Sequence, residues 1–277
     1  MSKTGWLYIC LFILALWPGS RALAGQSGWA STDYARMRMI TGVDTIGPAN
    51  SFEAALHMRM EEGWHSYWKI PGEAGAPPRF DWSGSDNISD VEILWQAPKR
   101  FDEFGFQTFG YEKDVYFPLR VSLSEPGKAA TLKIAVKTMV CHEICIPQDF
   151  TVSFSIPEGD GKDSSEQRLI DFEKRRVPQS EDSASLRIDT VVAGPDALVV
   201  SAYSQNGFDQ ADMFAYGGEI LLTAAPEIAV EADDARHALI TISKPEDLEA
   251  LNLALQGQSL NIVLLSGRDA LERSVPF

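Results

Sequence analysis

The chain has 277 residues, a net charge of −15, 45% hydrophobic residues and three cysteines. So acidic a balance argues against nucleic acid and anionic lipid as partners, because both attract basic patches. Three cysteines are too few for a disulfide-stapled scaffold, so apolar burial must hold the core, and the length suits two domains.

Residues 1–24 read as a signal peptide. Lys3 supplies a basic start, an apolar run covers residues 6–17, and Ala22-Leu23-Ala24 forms a small-residue cleavage site. The run is shorter than the roughly 20 residues a membrane helix needs. No later stretch is long enough either, so no stable membrane insertion is expected. Cys10 lies inside the leader and is discarded with it. The exported chain keeps Cys141 and Cys145 in an oxidising compartment, where such a pair persists as a disulfide.

Residues 25–157 read as a β-rich domain. Alternating runs predict strands over 51–60, 91–95, 115–123, 132–140 and 150–156. Turn signals separate them at Glu62-Gly63, Pro71-Gly72, Ser83-Gly84 and Pro126-Gly127. Many short strands without helical periodicity predict an all-β fold, an antiparallel sandwich. Residues 158–185 are rich in Asp, Ser, Glu and Lys and read as a linker. A short helix is expected there over 165–176, capped by Ser164 or Ser165. Residues 186–277 read as a second, smaller β-rich domain, with strands over 186–192, 197–204, 219–223, 227–231, 238–242 and 259–265. Pro245 opens an expected helix to residue 255. This half has no cysteine and one histidine, His237, so the chemistry is expected in the first half.

That chemistry centres on Cys141-His142-Glu143-Ile144-Cys145. Leu132, Ile134, Val136 and Val140 share one strand parity, and Lys133, Lys137 and Cys141 share the other. Cys145 falls on the polar parity of the following strand, so both cysteines are expected to point away from the core. A three-residue loop between two strands makes a hairpin, which sets the flanking cysteines opposite each other at about disulfide distance. So small a loop adds little stability through chain entropy, so an outward-facing bridge here points to chemistry. His142 is placed to help a thiolate form. Two other readings stay open. One is a purely structural disulfide in an adaptor protein. The other is a copper-binding site, since Cys141, His142, Cys145 and Met139 are soft ligands suited to Cu(I).

The segment from Cys141 to Pro147 resembles the cysteine region of the N-terminal periplasmic domain of DsbD-type thiol:disulfide interchange proteins, closest to their ScsB-like, copper-tolerance-associated branch. Gly63-Trp64-His65-Ser66-Tyr67-Trp68 with Pro71-Gly72 resembles the family's aromatic strand and turn. Pro78-Arg79-Phe80-Asp81-Trp82 and Ile93-Leu94-Trp95-Gln96-Ala97-Pro98 resemble its central strands. Phe101-Asp102-Glu103-Phe104-Gly105 resembles its cap loop. The best-known members have five residues between their cysteines, against three here. The resemblance implies an immunoglobulin-like sandwich and thiol–disulfide exchange, with no cofactor. It makes Cys141 and Cys145 catalytic, Cys145 forming mixed disulfides and Cys141 resolving them. It makes Phe104 a cap and sets Tyr67, Asp102, Glu103 and His142 around the site. It also implies a periplasmic location. The expected partners are a separate membrane thiol:disulfide reductase and periplasmic thioredoxin-like substrates, because no transmembrane or thioredoxin-like module is read in the chain. Gly105 and Gly110 are expected to hinge the cap.

Overall fold

A computed structural model describes residues 25–180, 185–246, 248 and 250–277 of the chain. The signal-peptide reading of residues 1–24 lies outside the described residues. The first domain holds β1 (Ala30–Ser31), β2 (Ala35–Thr41), β3 (Ser51–Met60), β4 (His65–Gly72), β5 (Arg79–Asp81) and β6 (Ile88–Ile93). It continues with β7 (Lys99–Glu103), β8 (Phe106–Glu112), β9 (Asp114–Leu123), β10 (Ala130–Cys141) and β11 (Cys145–Ile156). One sheet has the order β1-β2-β3-β9-β6, and the facing sheet runs β11-β10-β4-β8-β7 with β5 added on β10. Every pairing is antiparallel, which confirms the all-β, immunoglobulin-like sandwich.

Alternation builds the facing sheet. Leu132, Ile134, Val136 and Val140 of β10 are buried, and Lys133, Ala135 and Lys137 between them are exposed. The opposite sheet breaks this rule for a reason. Strand β3 is buried over nearly its whole length, because α1 (Gln167–Lys174) lies on its outer face. Ile170 of α1 is fully buried against Ile40 and Ala55. The helix falls within the expected span, but its N-cap is Glu166, without a side-chain capping bond, rather than Ser164 or Ser165; Ser164 Oγ accepts the Glu166 N–H at 3.1 Å just ahead of the helix. The segment read as a linker is thus laid along the first domain, bridging to it at Val43–Asp163 and Ile46–Glu158.

The second domain contains β12 (Leu186–Ala193), β13 (Ala197–Ser204), β14 (Asp212–Gly217), β15 (Ile220–Leu222) and β16 (Glu227–Val230), followed by β17 (His237–Ser243), α2 (Leu251–Ala254), β18 (Ser259–Ser266) and β19 (Asp269–Pro276). Its two four-stranded sheets run β12-β13-β17-β16 and β15-β14-β18-β19. They close on an aliphatic core that includes Leu198, Val200, Ile240, Ile262 and Leu264.

The two domains share apolar and polar contacts at β4, β7 and β8. Phe214 packs edge-on against Phe109, with ring centroids 4.8 Å apart, and Tyr216 meets Trp68 at 5.5 Å. All of Trp68, Phe109 and Phe214 are buried. Arg100 of β7 binds both carboxylate oxygens of Asp212 and the carbonyl of Met213, with its guanidinium over Phe109 and Phe214. Lys69 of β4 pairs with Glu272 at 3.1 Å, and Thr223 donates to Glu73 at 2.7 Å. The pairing of β4 with β8 shifts register between Tyr67 and Gly72, and Trp68 and Lys69 in this interval face the second domain. The second domain therefore braces the strand that carries His65 and Tyr67.

Candidate active site

Cys141 ends β10 and Cys145 begins β11, and the two are direct partners across the hairpin. Their Cα atoms lie 4.1 Å apart and their sulfurs are bonded, as the spacing predicts. The loop between them is closed by the His142 N–H donating to the Ile144 carbonyl at 3.1 Å. The expectation that both cysteines face solvent holds for Cys145, which is exposed. It fails for Cys141, which is fully buried. Strand parity does turn Cys141 away from the sandwich core, but other groups cover it there.

The cover comes from β4. His65 is the strand partner of Cys141, and Tyr67 follows two residues later on the same face. The Tyr67 hydroxyl lies 2.9 Å from Cys141 Sγ and 3.6 Å from Cys145 Sγ. It also donates to Glu103 Oε2 at 3.0 Å, so its one proton is shared between a carboxylate and the sulfurs. Glu103 Oε1 in turn sits 2.7 Å from His65 Nε2. The His65 ring stacks on Phe101, with centroids 4.5 Å apart. Gly75 has φ +87°, and a Cβ there would lie 2.2 Å from the Tyr67 ring, so only glycine lets this loop pass over the ring.

Burial sets the protonation of these groups. It pushes the Tyr67 phenol well above its ordinary range, and the adjacent Glu103 carboxylate pushes it further. Tyr67 is therefore a donor at any physiological pH. Burial also lowers the His65 pKa, against the opposing pull of Glu103, which favours the neutral imidazole.

Glu103 and Phe106 are the last pair of the β7–β8 hairpin, so Phe104 and Gly105 form its two-residue turn. Both have positive φ, +56° and +89°, as a type I′ turn requires. A phenylalanine in this region is strained by about 1–3 kcal/mol. Its ring is 81% exposed. Phe104 is thus neither a core residue nor a tight seal. It lines a cleft of about 370 Å³ with Gly63, His65, Glu103, His142 and Glu143. Asp102 also lines the cleft, but its carboxylate is spent on the turn, accepting from the Gly105 N–H and from Gln107 Nε2. His142 is exposed at the mouth, near Trp64 at 5.9 Å.

One sequence expectation changes here. Gly110 is no hinge. It lies inside β8, where a Cβ would fall 1.8 Å from the Ser66 carbonyl oxygen, so glycine is needed for the close approach of β4. Among the described His, Cys, Asp and Glu side chains, His65, Glu103 and Cys141 lie within ligand distance of one another. His65 was not singled out from the sequence. The available signal was its strand parity with Tyr67, which the resemblance sets at the site.

Residues 40–155 match the family described as thiol:disulfide interchange protein DsbD, N-terminal, and residues 176–277 match one described as domain of unknown function (DUF8393). Among solved structures, the N-terminal periplasmic domain of ScsB from Proteus mirabilis aligns at a TM-score of 0.70 and 20% identity. That alignment covers 91% of this chain and 99% of that one, so the two-domain fold is shared. The N-terminal domain of Neisseria meningitidis DsbD in the reduced form aligns at 18% identity over 44% of this chain and 87% of that one, with a TM-score of 0.25. No curated protein matches the chain. No helix among the described residues is long and apolar enough to cross a membrane. With its cysteine pair, β7–β8 hairpin and aromatic strand in one sandwich, the first domain of this chain is similar over residues 40–155 to the N-terminal domain of thiol:disulfide interchange protein DsbD.

Proposed function

We propose that the chain is a periplasmic thiol–disulfide exchange protein that works through Cys141 and Cys145. In this reading it takes electrons from a membrane thiol:disulfide reductase and hands them to thioredoxin-like partners. The observation that carries the reading is the asymmetry of the pair: one sulfur belongs to an exposed residue, and the other is buried beside a hydroxyl donor.

Exchange needs in-line attack on one sulfur and a stabilised leaving group at the other. An incoming thiolate attacks Cys145 Sγ. The S–S bond breaks, and its electron pair leaves on Cys141 Sγ as a thiolate. The Tyr67 hydroxyl, already within reach, donates to that thiolate. The second thiolate of a dithiol reductant then attacks its own sulfur in the mixed disulfide, which releases Cys145 as a thiolate. The reductant leaves as its disulfide, and the pair has gained two electrons. Onward transfer runs in reverse order. Cys145 attacks the substrate disulfide and releases one substrate thiolate. Cys141 then attacks Cys145 Sγ, closes the pair and frees the second. His142 and Phe104 stand at the cleft mouth, where a partner would dock.

Trapping tests the assignment. Cys141→Ala removes the resolving thiol and should accumulate mixed disulfides through Cys145 on diagonal gels, while Cys145→Ala should accumulate few. Equal trapping, or the opposite pattern, would overturn the assigned roles. Trapping by neither variant would favour a structural disulfide.

A further inference from the structure

We infer that reducing the Cys141–Cys145 bond completes a binding site for a divalent cation of the zinc class, with His65, Glu103 and Cys141 as ligands and Cys145 beside them. The inference rests on the exchange reading, because it needs a pair that opens under native conditions. Its geometry stands apart from that reading. One ligand atom each from His65, Glu103 and Cys141 lies within 4.8 Å of the others. Cys145 Sγ is bonded to Cys141 Sγ, and both sulfurs lie within 3.6 Å of the Tyr67 hydroxyl.

The donor set selects the metal. Two thiolates, an imidazole and a carboxylate suit Zn²⁺. Mg²⁺ and Ca²⁺ want all-oxygen ligands, and Cu(I), although the two thiolates suit it, gains nothing from the hard Glu103 carboxylate. In the oxidised protein neither sulfur is a thiolate, which leaves one imidazole and one carboxylate. The site therefore exists in one redox state only.

The surroundings resemble those of a built site. His65 is held by its strand pairing with Cys141 and by the stack on Phe101. The second oxygen of Glu103 accepts from Tyr67, an outer contact that orients the first. Cys141 and His65 are buried, and the cleft lined by His65 and Glu103 gives an entry path from solvent. Metal binding would hold the pair as a dithiolate and release the protons of any thiol that was still protonated. A bound cation would thus slow re-oxidation and block attack by Cys145.

The full chain is reduced, freed of reductant by gel filtration under anaerobic conditions, and titrated with Zn²⁺ against a chromophoric chelator. Alkylation beforehand verifies two free thiols. The expected result is one equivalent bound to reduced protein and none to oxidised protein. His65→Phe and Glu103→Gln should each weaken binding at least tenfold, with folding checked by circular dichroism. Binding to reduced protein that neither substitution alters would mean a bare dithiol and overturn the site. Stoichiometric binding to oxidised protein would also overturn it. A pair that native conditions cannot reduce would sink both this inference and the exchange reading. A pair that is reduced and exchanges, yet takes up no Zn²⁺, would sink this inference alone.

Discussion

Removing one hydroxyl, in Tyr67→Phe, isolates the group that faces the leaving sulfur. The ring stays, and Tyr67 is completely buried, so packing is preserved. What is lost is the donor 2.9 Å from Cys141 Sγ. A hydrogen bond to a charged group contributes about 1.5–3 kcal/mol. Here the proton is shared with Glu103 Oε2 at 3.0 Å, so the low end applies. Losing about 1.5 kcal/mol from the thiolate but little from the disulfide has two consequences. The pair becomes harder to reduce by roughly 30 mV, since 30 mV is about 1.4 kcal/mol for two electrons. The rate of reduction by dithiothreitol falls about tenfold if the transition state already carries most of the charge. Both are measured by quenching with an alkylating agent and weighing the species by mass spectrometry. A potential and a rate that both match the parent protein would refute the idea that Tyr67 stabilises the leaving thiolate.

Phe104→Ala should change the denaturant midpoint by less than about 0.5 kcal/mol equivalent, because its ring is mostly in solvent. Phe109→Ala, four strand residues further on and fully buried, should cost about 3–5 kcal/mol, and equal losses for the two would contradict the hairpin geometry. Phe104→Gly should match or exceed parent stability, since glycine relieves the positive φ; a clear loss would show that the turn is not strained. Gly110→Ala should destabilise by about 1–3 kcal/mol or more by forcing β4 and β8 apart, and thermal melts would expose a neutral outcome. Burial holds the pKa of His57 below its usual value, although Asp114 at 2.7 Å opposes this. The unfolded chain then takes up the proton first as pH falls. Stability is full above the ordinary histidine pKa of about 6.5 and declines as pH falls below it. Replacing His57 by Gln should flatten that decline in denaturant titrations between pH 7 and 5, and an unchanged slope would exclude His57 as its source.

The legible parts of the sequence were strands whose apolar runs end at turn residues. Strand β3 over Ser51–Met60 and strand β13 over Ala197–Ser204 follow the predicted bounds, because apolar patterning and flanking turn residues both mark them. The hairpin of Cys141 and Cys145 was legible for the same reason. Strands β7 and β8 were read as a loop, because the turn between them is Phe104-Gly105 and phenylalanine carries no turn signal. Strands β14 and β19 were missed in the second domain. Part of β14, at Met213, Phe214 and Ala215, is buried without alternation. The burial of Cys141 was not legible at all. Parity gives the face of a strand but not what another strand lays over that face, and here Tyr67 arrives from a position 74 residues away. The same long-range approach brought His65 to Glu103, a contact that no local spacing encodes.

The central claim is that the Cys141–Cys145 bond opens and closes in use, and its reduction potential tests this most directly. The protein is equilibrated with glutathione buffers of defined ratio, quenched with acid, alkylated and resolved by mass. An exchange pair with an exposed Cys145 and a donor beside Cys141 should be half-reduced at a potential above about −300 mV. A value below about −300 mV would place the bond among structural disulfides and contradict the account.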